Sequence, residues 1–222
     1  MFEKLTSFAN AEFELCAAGP VLVSSGKSNK TDPTVPDTTF MTGYIGKDHS
    51  NECYVIPGSS VKGVLRHHIQ DYYITDDKEA ELFFGKINGG AQKSKIKFND
   101  AYAIPETVSI SVRNSTKINP YSQKPVSGSL NNMETVDKGI FKAGFQIKNF
   151  TPKEMEVLLI SLLDINEGTV RFGGKVSRGF GMMKVGSFSM NVNNGYDAAL
   201  QPKEPKSFAD IESALKYFRT VK

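Results

Sequence analysis

Apolar and polar residues alternate in several short segments of the chain, and this period of two predicts strands. The alternation is clearest in residues 11–17, where Phe13 and Leu15 are separated by glutamates. We expect strands at residues 11–17, 95–104, 108–112, 140–147, 169–172 and 182–192.

Other segments repeat their apolar residues at steps of three and four, which predicts helices. We expect helices at residues 59–73, 77–84, from residue 151 onward, and 207–219. The first has Val61, Leu65 and Ile69 on one face. The third begins at Thr151-Pro152-Lys153-Glu154, which has the spacing of a capping box with proline at the first helical position.

The order of the main elements is strand, helix, strand, strand, helix, strand, which predicts an α+β fold with a ferredoxin-like, RRM-like βαββαβ core. Two long polar segments, residues 24–53 and 114–139, interrupt this core as loop insertions. We expect one domain over residues 1–200, followed by a linker and a packed helix at 201–222.

The chain is nearly neutral in charge, and its cysteines and histidines do not form a zinc-site pattern. The 222 residues carry a net charge of +3, so any basic footprint has to be local. Cys16 and Cys53 form no CxxC motif, and the histidines lack zinc-site spacing, so we predict free thiols and no metal ligands of this kind. No signal peptide is evident, and we expect a cytoplasmic protein.

The segment Ile-Pro-Gly-Ser-Ser-Val-Lys-Gly-Val-Leu-Arg at residues 56–66 combines small residues, hydroxyls and cations at a predicted helix start. Ser59 and Ser60 lie in the first turn, where amides and the helix dipole favour anions. Lys62 and Arg66 are four residues apart and share a face. These features suit a polyanion backbone, or alternatively a capped helix with solvated cations.

A second segment, Gly-Gly-Lys-Val-Ser-Arg-Gly-Phe-Gly at residues 173–181, has the same chemistry between two predicted strands. Its glycines allow positive φ and close approach, while Lys175, Ser177 and Arg178 supply charge and a donor. The alternative is a glycine-rich connection between strands.

With both segments in this order, the chain resembles the CRISPR-associated RAMP superfamily. It is most similar to the repeated, CRISPR RNA-binding backbone subunit of type III effector complexes, the Csm type in particular. The likeness extends to Leu-Phe-Phe-Gly at residues 82–85 and Ile-Lys-Phe-Asn-Asp-Ala at 96–101. It implies copies stacked along a CRISPR RNA, with target RNA and other type III subunits as further partners.

The resemblance also implies a thumb-like hairpin that displaces a nucleotide at regular intervals. The insertion at residues 114–139 stands at the thumb position. Arg113, Asn114 and Lys117 lie at its start and are expected to contact RNA phosphates.

The family's backbone subunit cleaves target RNA with an aspartate in the loop before the first glycine segment, together with a divalent metal, expected to be Mg²⁺. Asp37 matches that aspartate best, and Asp32 is the second candidate. Pro36 stands where the family has glycine.

Two other functions stay open within the same superfamily. One is a subunit that caps the RNA-bound filament without cutting. The other is an endoribonuclease that processes CRISPR RNA, for which His67 or His68 would be the catalytic histidine.

Overall fold

The computed structural model describes residues 4–24, 26, 34–45, 51–74, 76–86, 92–195 and 203–221. The strands are β1 (Ser7–Ala17), β2 (Thr42–Ile45), β3 (Asn51–Ile56), β4 (Ile96–Phe98), β5 (Ala101–Ala103), β6 (Ser109–Ser115), β7 (Asn131–Lys138), β8 (Ile140–Lys148), β9 (Met183–Asn194) and β10 (Pro205–Phe208). The helices are α1 (Gly58–Tyr72), α2 (Asp77–Phe84), α3 (Pro152–Asn166) and α4 (Ile211–Thr220).

The main sheet is antiparallel and follows the order β10-β9-β1-β8-β5-β3-β2, with β4 also paired to β8. Its centre, β9-β1-β8-β5, together with α1 and α3, is the βαββαβ arrangement of a ferredoxin-like fold. The predicted α+β class and core are therefore confirmed.

One face of this sheet is apolar and carries the helices. In β1 every second residue is buried, including Ala11, Phe13 and Leu15, while the residues between them are more exposed. The buried side chains of α1, α3 and α4 join the same core. Each fully buried Leu, Ile or Phe contributes about 1.5–3 kcal/mol relative to exposure, so this face holds the fold together.

Helix α3 begins at the capping residues that the sequence predicts. The Thr151 hydroxyl accepts a hydrogen bond from Glu154 N at 3.2 Å, and the Glu154 carboxylate accepts one from Thr151 N at 2.7 Å. Glu154 also binds Lys95 Nζ at 2.8 Å, which neutralises a nearly buried carboxylate. The predicted capping box is confirmed.

Three details of the sequence prediction are wrong, two of them because strand pairing overrides the local pattern and one because of a helix cap. Residues 24–53 are not only loop, since they include β2 and part of β3. Residues 205–206, expected in a linker, belong to β10, which pairs with β9. The last helix starts at Ile211, and not at residue 207, because the Asp210 carboxylate caps it by accepting from Ser213 N at 2.7 Å.

Two predicted strands are also shorter than expected. The strand at residues 95–104 is divided into β4 and β5, because Asp100 turns away to accept a hydrogen bond from Gly58 N at 2.7 Å. Residues 169–172 do not form a strand and contribute only one isolated β-bridge, in which Arg171 pairs with Met182.

A separate two-stranded ribbon, β6 with β7, rises from the main sheet and forms the predicted hairpin. Val21 anchors its base through two backbone hydrogen bonds with Val136, of 2.9 and 3.0 Å. The hairpin strands extend over Ser109–Ser115 and Asn131–Lys138, so the predicted insertion at residues 114–139 is partly strand. Among the described residues, no helix is long and apolar enough to cross a membrane.

Candidate nucleic-acid interface

The two glycine segments meet at one cavity of about 390 Å³, which we call the central cavity. Ser60 from the first turn of α1 lines it, together with Lys175 and the Gly173-Gly174 pair of the second segment. Asn131 from β7, Thr38 and Ser24 complete its polar wall. Residues that carry a hydroxyl, an ammonium group and an amide therefore meet at one space from distant parts of the chain.

The amides at the start of α1 already have protein partners. Gly58 N donates to Asp100 Oδ1 at 2.7 Å, and Ser60 N donates to Pro57 O at 2.8 Å. Glycine is required at position 58 because a Cβ there would collide with the Phe98 carbonyl oxygen. This helix start therefore offers an anion its serine hydroxyls rather than the amides of Gly58 and Ser60.

The cations of the first segment line a different cavity, of about 600 Å³, between α1 and α2. Lys62 Nζ donates to Ser94 Oγ at 2.9 Å, and Arg66 Nε donates to Gln70 Oε1 at 3.1 Å. Ser59 lines the same cavity. Burial and the neighbouring Arg66 guanidinium lower the pKa of Lys62, so an anion placed here would relieve an existing repulsion.

The backbone of the second segment is shaped by contacts with the protein itself. Gly173 has φ +80° and faces the Leu22 carbonyl oxygen, which a Cβ would strike. Gly181 has φ +84° and faces the Phe172 carbonyl oxygen in the same way. Between them, Lys175 adopts φ +60°, a left-handed conformation that is costly for a lysine. This strained residue also lines the central cavity.

The second segment also packs against the base of the hairpin. The Arg113 guanidinium lies 5.8 Å from the centre of the Phe180 ring, and Arg178 Nη1 donates to Ser115 Oγ at 3.4 Å. Arg113 Nη2 is 3.3 Å from an Asp137 oxygen. Arg113, on the hairpin, is thus held against the second segment, and Arg178, in the second segment, is held against the hairpin.

The Asp137 carboxylate that pairs with Arg113 is stabilised in its charged form. Burial alone would raise its pKa, but hydrogen bonds from Ser111 and Thr135, at 2.7 and 2.9 Å, and the Arg113 charge outweigh it. The pKa of Asp137 is therefore below its ordinary value. Arg113 consequently keeps this partner at neutral pH, and it is the more exposed of the two groups.

The other predicted contact residues are on the surface. Asn114 and Lys117 are exposed on the hairpin, and Ser177 is exposed in the second segment. From residue 107 to residue 133 the chain contains no Asp or Glu, while Arg113, Lys117 and Lys124 are cationic. The hairpin is thus a local basic feature in a nearly neutral chain, a signal that the sequence prediction did not use.

Asp37, the first candidate for catalysis, is at the root of the hairpin. Its Oδ2 accepts a hydrogen bond from Asn132 N at 2.8 Å, and the next residue, Thr38, lines the central cavity. The side chain is half-buried. Asp32, the second candidate, lies outside the described residues.

The described residues provide little of a metal site by themselves. No group of three His, Cys, Asp or Glu side chains in that part of the chain could hold a metal ion. Asp37 provides one carboxylate, one of whose oxygens is already bonded. Mg²⁺ often binds through one or two carboxylates with phosphate oxygens and water, so Asp37 suits it only if RNA supplies further ligands.

The two histidines differ sharply in environment. His68 is 8% exposed, and its Nε2 is 2.7 Å from Asp164 Oδ2. The Tyr73 hydroxyl donates to the same oxygen at 2.6 Å, and burial together with this carboxylate raises the pKa of Tyr73 to about 12. His67 is exposed. Neither histidine lines the central cavity.

Solved structures share this fold at low sequence identity. One is a chain of Type III-B Cmr-beta bound to cognate target RNA, with TM-score 0.55 and 16% identity; the match covers 83% of this chain and 61% of that one. Another is a chain of Type III-B Cmr-beta in the apo state, with TM-score 0.57 and 13% identity, covering 80% and 96%. The present chain thus spans less than two thirds of the first of these.

A family model assigns the chain to a superfamily, although comparison with individual curated proteins does not. No curated protein matches the chain. The family model of the RAMP superfamily, in contrast, matches residues 19–184, which include both glycine segments, the hairpin and most of the main sheet. By this match, the chain belongs to the RAMP superfamily.

Proposed function

We propose that this chain is a CRISPR RNA-binding backbone subunit of a type III effector complex. The observation that carries the proposal is the convergence of Ser60, Lys175 and the root of a basic hairpin on the central cavity. Membership of the RAMP superfamily and the fold likeness to chains of Type III-B complexes support it. Its expected partners are CRISPR RNA, target RNA, copies of itself and other subunits. The Csm type, expected from the sequence, stays a prediction.

In this function the protein holds the RNA backbone chiefly by charge. Lys175 at the central cavity, Lys62 and Arg66 in the adjacent cavity, and the hairpin cations would each meet phosphates. A protein that neutralises phosphates of a single strand loses affinity with salt, by a slope of about 0.7 per contact. The exposed Lys117 and Asn114 would extend the contact along the hairpin.

Binding is tested by titrating the full chain with single-stranded RNA at several salt concentrations. Lys175→Ala should weaken binding and reduce the salt slope by about 0.7, and adding Lys62→Ala should reduce it further. Lys216→Ala is the matched control, because this exposed α4 lysine lines neither cavity. Equal effects of Lys175→Ala and Lys216→Ala would refute the assignment of the cavity.

We further propose that Asp37 takes part in cleaving target RNA. The 2′-OH of a splayed nucleotide attacks the adjacent phosphate and displaces the 5′-oxygen of the next nucleotide, leaving a 2′,3′-cyclic phosphate. The Asp37 carboxylate either accepts the 2′-OH proton or helps to hold a cation, and water protonates the departing 5′-oxygen. A bound Mg²⁺ would supply charge stabilisation for the phosphate oxygens. Asp37 is suitably placed beside the central cavity, since Thr38 forms part of the cavity wall.

Asp37→Asn is a better test of cleavage than Asp37→Ala, because Asp37 also accepts a structural hydrogen bond. Asp37→Ala would leave Asn132 N without its acceptor, so a folding effect would be confused with chemistry. Asp37→Asn keeps an oxygen acceptor and should abolish metal-dependent cutting of target RNA in the assembled complex while RNA binding persists. Asp71→Asn, at an exposed helical site, is the control.

The outcomes distinguish the candidates. Cutting that persists in Asp37→Asn would remove Asp37, and Asp32→Asn would then be measured. A wild-type complex that binds target RNA without cutting would favour the capping subunit. The processing enzyme has less support, because His68 is bound to Asp164 and His67 is outside the central cavity.

A further inference from the structure

Two adjacent asparagines at the start of β7 have amide oxygens that lack partners. The Oδ1 atoms of Asn131 and Asn132 are buried and make no hydrogen bond within the part of the chain that the structure describes. An unpaired buried acceptor is costly, and native proteins rarely keep one without a use.

Only one of the two is at the central cavity. Successive residues of a strand point to opposite faces, so Asn131 and Asn132 face different sides of the hairpin. Asn131 lies opposite Ser115, the residue that accepts a hydrogen bond from Arg178, and it lines the central cavity with Ser60 and Lys175. Asn132 lies opposite Asn114 and does not line it.

We propose that Asn131 is a specificity-determining residue that accepts a hydrogen bond from the ribose 2′-OH of RNA bound in the central cavity. The proposal rests on the proposed RNA-binding function and adds the choice of ribose over deoxyribose.

The chemistry of the cavity wall supports a ribose at this point. Lys175 provides a cation and Ser60 a hydroxyl, which suit a phosphate, while Asn131 provides an acceptor that a hydroxyl donor can fill. A ribonucleotide carries both groups, a phosphate and a 2′-OH, within one residue of its backbone. A deoxyribonucleotide has the phosphate alone, and the 2′-OH is the group by which proteins distinguish RNA from DNA.

The amide oxygen reaches the ligand by a small movement. Asn131 as a residue is only half-buried, although its oxygen is covered. The terminal torsion of asparagine has a broad, roughly two-fold profile, so the amide can turn without moving the strand, and the proposal requires that this turn present the oxygen to the cavity.

The test compares binding of oligo(U) and oligo(dU), two unstructured strands that differ only at the 2′ position. The wild-type chain should bind oligo(U) more tightly. Asn131→Leu removes the acceptor at similar size and should reduce the preference for oligo(U) by about three- to tenfold, the worth of one neutral hydrogen bond. Asn132→Leu is the matched control and should leave the preference unchanged.

A second variant separates recognition from folding. Asn131→Asp keeps an oxygen acceptor, so it should retain the preference for oligo(U), while its negative charge weakens binding of both strands. Thermal unfolding of each variant identifies any that fail to fold.

The failure of this inference can be distinguished from that of the proposed function. If the wild-type chain binds oligo(U) and loses affinity with Lys175→Ala, but Asn131→Leu keeps the full preference, the role of Asn131 is overturned and RNA binding stands. A wild-type chain that binds both strands equally also overturns it. A chain that binds neither strand overturns both proposals.

Discussion

Replacing Gly173 by alanine tests whether the second glycine segment is shaped by its own protein contacts. Gly173 has φ +80°, and a Cβ there would meet the Leu22 carbonyl oxygen. That oxygen also accepts the Gly174 N–H at 2.8 Å, so a shift that relieves the collision strains this hydrogen bond as well. The substitution therefore acts on both conformation and packing.

The magnitude follows from these separate effects. A left-handed conformation costs an alanine about 1–2 kcal/mol, a weakened hydrogen bond about 1 kcal/mol, and the backbone displacement about 1–3 kcal/mol. We expect Gly173→Ala to lower the free energy of unfolding by about 3–6 kcal/mol. That is a large share of the 5–15 kcal/mol typical of a domain.

Two neighbouring glycines provide graded controls for the urea unfolding assay, followed by circular dichroism. Gly179 has φ +86° with nothing within 4 Å of a Cβ, so Gly179→Ala should cost only the conformational part, about 1–2 kcal/mol. Gly174 lacks a positive φ, and its nearest neighbour would be 3.9 Å away, so Gly174→Ala should be within about 0.5 kcal/mol of wild type. Equal losses for Gly173→Ala and Gly179→Ala would refute the role of the Leu22 contact.

Two further predictions concern the surroundings of α1. With a pKa of about 12 against an ordinary value of 10.0, Tyr73 stabilises the fold fully below pH 10 and loses this effect as pH rises through 12. In an ultraviolet titration at high pH, Tyr73→Phe should remove a phenol that ionises near pH 12, and an unchanged late step would contradict the contact with Asp164. Asp100→Ala should lower unfolding stability by about 1 kcal/mol, because Gly58 N loses its acceptor, and a loss below about 0.3 kcal/mol in urea unfolding would show that water replaces it.

The helices and central strands were predictable because their signals are local. The capping residues Thr151 and Glu154 are three apart, and the bonds they form depend on nothing distant. In contrast, Pro205–Phe208 has no strand pattern of its own, and it is a strand only because β9 presents a free edge to it. Pairing of this kind is invisible in a short window of sequence.

The glycines illustrate the same limit at the candidate site. From sequence, the glycines of the second segment were expected to allow positive φ and close approach. Gly173 and Gly181 do have positive φ, but both face carbonyl oxygens of the protein that would collide with a Cβ, and so does Gly58 of the first segment. A sequence shows where a side chain is missing, but only the folded backbone shows which atoms fill the space.

By itself, the sequence determined the fold class, the resemblance to the RAMP superfamily and the two segments able to bind an anion, because periodicity, capping and motif composition are local properties. Tertiary structure decided how the parts combine. It separated Ser60 from Lys62 and Arg66, although they share a helix, and joined Ser60 to Lys175 and Asn131 across one cavity. The reason is physical: helix geometry sends neighbouring residues to different sides, whereas sheet pairing brings distant ones together.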